Sequence, residues 1–128
     1  MGVITLMVIT DGRRDVLAET LRHLDFLDGP VTRRVVHDDS GDRDNHLWLD
    51  SLGVFDDVVA TPQRSGFHGA MASSRRWLTG KDRNPFVFWL EDDFRFFRTI
   101  PLAEMAAVLD DHTHYAQKAL SRQPVNDA

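Results

Sequence analysis

The chain has no cysteine and only two lysines, Lys81 and Lys118. The first absence excludes disulfides, thiol catalysis and cysteine-ligated zinc. The second bears on phosphate chemistry. The glycine-containing stretch "RSGFHGAM" (64–71) lacks the Gly-Lys-Ser/Thr ending of a P-loop and does not match GxGxxG either. Positive charge is not in excess: the formal net charge is -5. That argues against a broad nucleic-acid-binding face or a basic membrane patch. No apolar run approaches the roughly 20 residues of a membrane span. The start "MGVITLMVITDGRR" has no basic leader and runs into polar turn residues, so it reads as a strand and not a signal peptide. A cytoplasmic protein is expected. Internal repeats, linkers and low-complexity segments are also missing.

What remains is a chain of 128 residues, 42% hydrophobic and 27% charged, the composition of one folded domain. Val3–Ile9 is apolar and β-branched without alternation, as in a strand buried on both faces. Leu17, Leu21 and Leu24 follow at helical spacing, with Asp11 or Asp15 placed to serve the helix N-terminus and Gly29-Pro30 to end it. A short strand is expected at Val35-Val36, then a helix from Asp42 to Leu52 stopped by Gly53. A third strand runs from about Val58 to Ala60. Ala70, Met71, Ser74, Trp77 and Leu78 share one face of a third helix, which Gly80 terminates. "PFVFWL" (85–90) is the fourth strand. Pro101 opens a last helix carrying Leu102, Met105, Ala106 and Leu109. Strands alternating with helices predict a Rossmann-like, three-layer α/β/α fold with a mostly parallel central sheet.

Ligands in such sheets bind beyond the carboxyl ends of the strands. Four polar turns fall there: Thr10-Asp11-Gly12-Arg13, then Asp38-Asp39-Ser40-Gly41, then Arg64-Ser65-Gly66, then Glu91-Asp92-Asp93. The last raises an electrostatic problem. Two carboxylates about 5 Å apart at an effective dielectric near 20 repel by roughly 3 kcal/mol. A hard divalent cation, Mg²⁺ or Mn²⁺, offsets such repulsion and prefers oxygen ligands. The alternative is a solvated acidic turn capping the next helix. Asp38-Asp39 can likewise be turn chemistry or a carboxylate that hydrogen-bonds a base or ribose. Gly66 would let a backbone approach a ligand closely, and Arg13 or Arg64 would meet a phosphate.

The ordered set of turns resembles the nucleotide-binding half of a GT-A glycosyltransferase, family-2-like, over Val3 to about Leu109. The resemblance implies a nucleotide-diphosphate sugar, UDP- or GDP-linked, as donor. It implies that Thr10, Asp11, Gly12 and Arg13 pack on base and ribose. Asp39, then Asp38, would read the base, and Arg64 and Gly66 would border the nucleotide. Glu91-Asp92-Asp93 stands where the family has its acidic "DxD" signature, with Asp93 and then Asp92 as ligands of Mn²⁺ or Mg²⁺. Glu91 departs from the usual Asp, its longer arm able to reach ribose or a metal-bound water. The family's acceptor half and its catalytic base follow the acidic signature. Here only a helix and a tail do, so the catalytic residue is unknown and a partner chain or oligomer is one way to complete the site. The alternatives are a nucleotide-sugar-binding module without catalysis, or a Rossmann-like metal-dependent phosphohydrolase or Toprim-like nuclease. Against the last, no lysine sits in a matching context. His112 and His114 have a chelating spacing without a third ligand. His37 and Trp48, Trp77 and Trp89 read as packed core residues.

Overall fold

Strands and helices alternate from β1 (Ile4–Thr10) onward, in a computed structural model that describes residues 4–82 and 84–111. After β1 come α1 (Arg14–Arg22), a 3-10 turn (His23–Phe26) and β2 (Leu27–Asp28). Then come β3 (Val31–Asp38), α2 (Arg43–Ser51), β4 (Asp57–Ala60) and α3 (Gly66–Lys81). β5 (Phe86–Glu91), β6 (Ile100–Pro101) and α4 (Leu102–Asp111) close the order. The main sheet runs β4-β3-β1-β5, and every pairing is parallel. The expected Rossmann-like α/β architecture is the observed one.

Two apolar layers hold it together. Leu6, Val8, Val36 and Leu90 on one sheet face meet Leu17 of α1, Leu49 of α2, and Leu102 and Ala106 of α4. Met7 and Val35 on the other face meet Leu78 of α3, with Trp77 and Trp89 packed alongside. Alternate residues of each strand thus serve opposite layers. All seven residues of β1 are buried, as its unbroken apolar run requires. Trp48 packs against the first layer, so all three tryptophans are core-associated.

Several boundaries differ from expectation, each for a local reason. The expected two-residue strand at Val35-Val36 is eight residues long. Its first half alternates with Thr32 and Arg34 outward, and charge hides it from an apolar reading. Arg33 is held there by Asp57 at 2.9 Å and lies 4.8 Å from the Trp77 ring centroid. Gly29-Pro30 does not end the first helix, which stops at Arg22. Gly29 instead faces Leu102, where an added Cβ would sit 2.8 Å from the Leu102 Cβ. Gly80 does not end α3, which continues to Lys81 before Asp82 turns extended. Asp15 lies in the first turn of α1, where its charge suits the helix N-terminus, but no side chain caps the helix: Arg13 occupies the cap position without a side-chain bond. Asp42 does cap α2, accepting from the Asp44 amide at 2.9 Å. Pro101 lies in β6, which pairs with β2 in a small second sheet that periodicity did not suggest. Val3, His112, His114 and the tail lie outside the described residues.

Candidate functional site

β1 lies inside the sheet, with β3 on one side and β5 on the other. The chain leaves β1 toward β3 and later returns to place β5 beyond it. This reversal of strand order opens a crevice at the carboxyl ends of the strands. An open cleft of about 130 Å³ is found there. All four polar turns contribute to it. Thr10, Asp11 and Arg13 come from the first and Asp39 from the second. Arg64 and Gly66 come from the third, and Glu91 and Asp92 from the fourth. Ile9, Ala70 and Phe67 add apolar surface.

Asp92 is the hub, only 3% exposed. Its Oδ2 accepts from Thr10 Oγ1 at 3.0 Å and its Oδ1 from Arg13 Nη2 at 2.6 Å. Arg13 Nε also donates to Asp11 Oδ1 at 3.0 Å. Thr20 Oγ1 of α1 donates to the Asp92 carbonyl at 2.6 Å. Burial pushes the Asp92 carboxyl above its ordinary pKa, against the Thr10 hydroxyl and the Arg13 charge, which pull it down. The crowding of three acids is therefore relieved partly from within. Asp92 turns inward onto a guanidinium, while Glu91 and Asp93 are exposed. Partial burial and the charges of Asp93 and Asp92 hold the Glu91 carboxyl above its usual range.

Asp39 is also consumed by the protein. Its carboxylate accepts from the Ser65 amide and hydroxyl, both at 2.8 Å, and from the Gly66 amide at 2.9 Å. The two amides belong to the α3 N-terminus, where a negative charge is favoured. The Asp39 amide donates to the Thr10 carbonyl at 2.8 Å, locking the second turn to the first. Asp38 faces the opposite layer, where its Oδ1 accepts from Ser40 N and from Asn45 Nδ2 of α2. Gly12 stands behind the cleft with φ +104, its open side 3.0 Å from the Ser40 Cβ. Only glycine fits both that conformation and that approach. Arg64 Nη2 donates to the Asp11 carbonyl at 3.1 Å, leaving the rest of its guanidinium toward the cleft.

Eight of the residues expected at the site thus line one cleft, and Gly12, Asp38 and Asp93 do not. Among the described residues no group of three or more His, Asp or Glu side chains is arranged to hold a metal ion. Asp92 offers a cation little, since its oxygens already serve Thr10 and Arg13. Asp93 is exposed and free of protein partners. A single carboxylate beside a bound diphosphate is a donor set that Mg²⁺ accepts. Sequence reasoning missed Phe67. The signal was a large apolar residue in a glycine-bordered turn, where only the glycines and Arg64 drew notice.

Crystal structures of two forms of one protein are similar to this chain in fold. The chain is similar to S. aureus TarS 1-349 with a TM-score of 0.61 and 24% identity, covering 86% of this chain and 33% of that one. A second structure of S. aureus TarS gives a TM-score of 0.59 and 22% identity, covering 88% of this chain and 20% of that one. The chain therefore spans a third or less of the proteins it is similar to, and what is shared is the fold. No protein-family model matches the sequence, and no curated protein matches it.

Proposed function

We propose that this chain is the donor-binding part of a glycosyltransferase, binding a nucleotide-diphosphate sugar, UDP- or GDP-linked, for transfer to an acceptor. One observation carries the reading: four strand-end turns converge on a single cleft that holds two guanidiniums, Arg13 and Arg64, at the crevice of a glycosyltransferase-like sheet. The guanidiniums suit a diphosphate, which they can meet with paired N–H donors. Glu91, exposed at the rim and unpaired, suits the hydroxyls of a ribose or sugar. Asp93 is outside the cleft lining but next to the cleft-lining Asp92; by the resemblance it is the residue to hold Mn²⁺ or Mg²⁺ against the diphosphate, and Asp92 acts behind it through Arg13 and Thr10. Such a cation, when bound, neutralises charge developing on the diphosphate leaving group. Arg13 and Arg64 add positive charge at the same place. Asp39, bonded to the α3 N-terminus, shapes the cleft wall and holds Gly66 where a ligand passes.

The test is calorimetry of the folded chain with UDP- and GDP-sugars, with and without Mn²⁺. Binding of one nucleotide class, strengthened by the cation, is expected. A folded sample that binds neither would overturn the reading. A second reading, nucleotide-sugar binding without transfer by this chain, draws on the engagement of both buried cleft aspartates, Asp39 and Asp92, with the protein. Affinity without donor hydrolysis or transfer distinguishes it.

A further inference from the structure

Three large hydrophobic side chains stand exposed among the described residues: Leu47, Phe67 and Phe97. Isolated apolar residues on a surface need no explanation. Phe67 differs from the other two because it alone lines the cleft. It is 51% exposed and sits in the first turn of α3, three residues after Arg64. That turn is pinned. Gly66 has φ +81, its amide is held by Asp39, and a Cβ at Gly69 would come within 2.6 Å of the Ser65 Cβ. The His68 and Phe67 rings meet in a T-shaped pair, 5.7 Å between centroids and 73° between planes, not in a parallel stack. Ile9 and Ala70 continue an apolar strip into the cleft, while Arg13 and Arg64 are its cations.

We infer that Phe67 is the platform on which the base of a nucleoside diphosphate stacks. The inference rests on the nucleotide reading above and specifies where the base goes. A flat apolar ring and two guanidiniums in one cleft match a ligand with a π-face at one end and phosphates at the other. A neutral sugar would use the ring but not the donors that Arg64 keeps beyond its one bond to the Asp11 carbonyl, nor the positive charge of Arg13. An inorganic phosphate would do the reverse. Stacking on an aromatic side chain tolerates different bases, since each has a π-face. Phe67 therefore positions the base and contributes affinity, and hydrogen-bonding groups elsewhere in the cleft select its identity.

The experiment is titration of the full chain with UDP and with GDP, neither of which carries the transferred sugar, comparing wild type with Phe67→Ala, Phe67→Leu and Phe67→Tyr. Melting curves establish that each variant is folded. The expected result is affinity about tenfold weaker in the Ala and Leu variants and within about twofold of wild type in Tyr, because the ring and not mere apolar bulk is required. Wild-type affinity in Phe67→Leu, or equal losses in all three variants, would overturn the inference while leaving nucleotide binding intact. Should Phe67→Ala fail to fold, the Leu and Tyr pair decides alone. If wild type binds neither nucleotide, the functional reading itself falls and this inference with it.

Discussion

Arg13 Nη2 lies 2.6 Å from Asp92 Oδ1, joining turns 79 residues apart in the chain. The aspartate side chain is almost wholly buried and the arginine half exposed. Removing the arginine leaves a buried carboxylate with only Thr10 and the Asp11 amide as donors. Arg13→Ala is expected to destabilise the fold by about 1–2 kcal/mol, between the small worth of an exposed pair and the larger cost of orphaning a buried charge. The loss depends on pH. The Asp92 pKa is raised on folding, so its ionised form costs stability as pH rises through the shifted value. Without Arg13 that cost grows. Thermal melts should show a larger deficit for the variant at pH 7 than near pH 4, and an equal deficit at both would refute the pairing argument.

Asp39 bonds the start of α3 through three donors. Loss of a capping carboxylate typically costs about 1 kcal/mol, up to about 2. Urea unfolding of Asp39→Ala should give a loss at the upper end of that range. Asp39→Asn keeps an acceptor and should lose less. Equal midpoints for Asp39→Ala and wild type would show that the cap contributes nothing.

Asp93 is exposed and has no protein partner, so its removal should leave stability within about 0.5 kcal/mol of wild type. Asp93→Ala should nevertheless abolish the enhancement of nucleotide affinity by Mn²⁺. Calorimetry with and without the cation checks both halves. A variant that keeps the full Mn²⁺ effect places the metal elsewhere.

His37 is fully buried on β3, and neither ring nitrogen has a hydrogen-bond partner. Burial lowers its pKa from 6.5, and the nearby Asp39 and Asp38 charges only partly oppose this. The unfolded chain therefore binds the proton more readily than the folded one. Stability should be intact above about pH 6.5 and fall as pH drops below it, with a slope of at most about 1.4 kcal/mol per pH unit for one proton. His37→Leu should flatten the part of the melting-temperature profile between pH 7 and 5 that is due to this group. An unchanged slope would assign the dependence to other groups.

Much of this was legible along the chain because it rests on local pattern. The unbroken apolar run of β1, the helical spacing of Leu102, Met105 and Ala106, and the polar turns after each strand all state their burial by residue type. The first half of β3 was not legible. Arg33 and Arg34 look like loop residues until Asp57, Asp56 and Trp77 arrive from elsewhere to receive them. The β2–β6 pair was equally hidden, since two residues carry no period.

The sequence by itself determined the α/β alternation, and hence that the turns holding Asp11, Asp39, Arg64 and Glu91 share one rim. It determined that three acids stand together at the end of β5, because neighbours in sequence are neighbours in space. Only the tertiary structure decided what each acid does. Pleating and the reversal of strand order turn Asp92 inward to Arg13, send Asp38 to α2, and leave Glu91 and Asp93 at the surface. The physical reason is that a carboxylate's role depends on which donors reach it. Here those donors, Arg13 for Asp92 and Ser65 and Gly66 for Asp39, come from parts of the chain 79, 26 and 27 residues away.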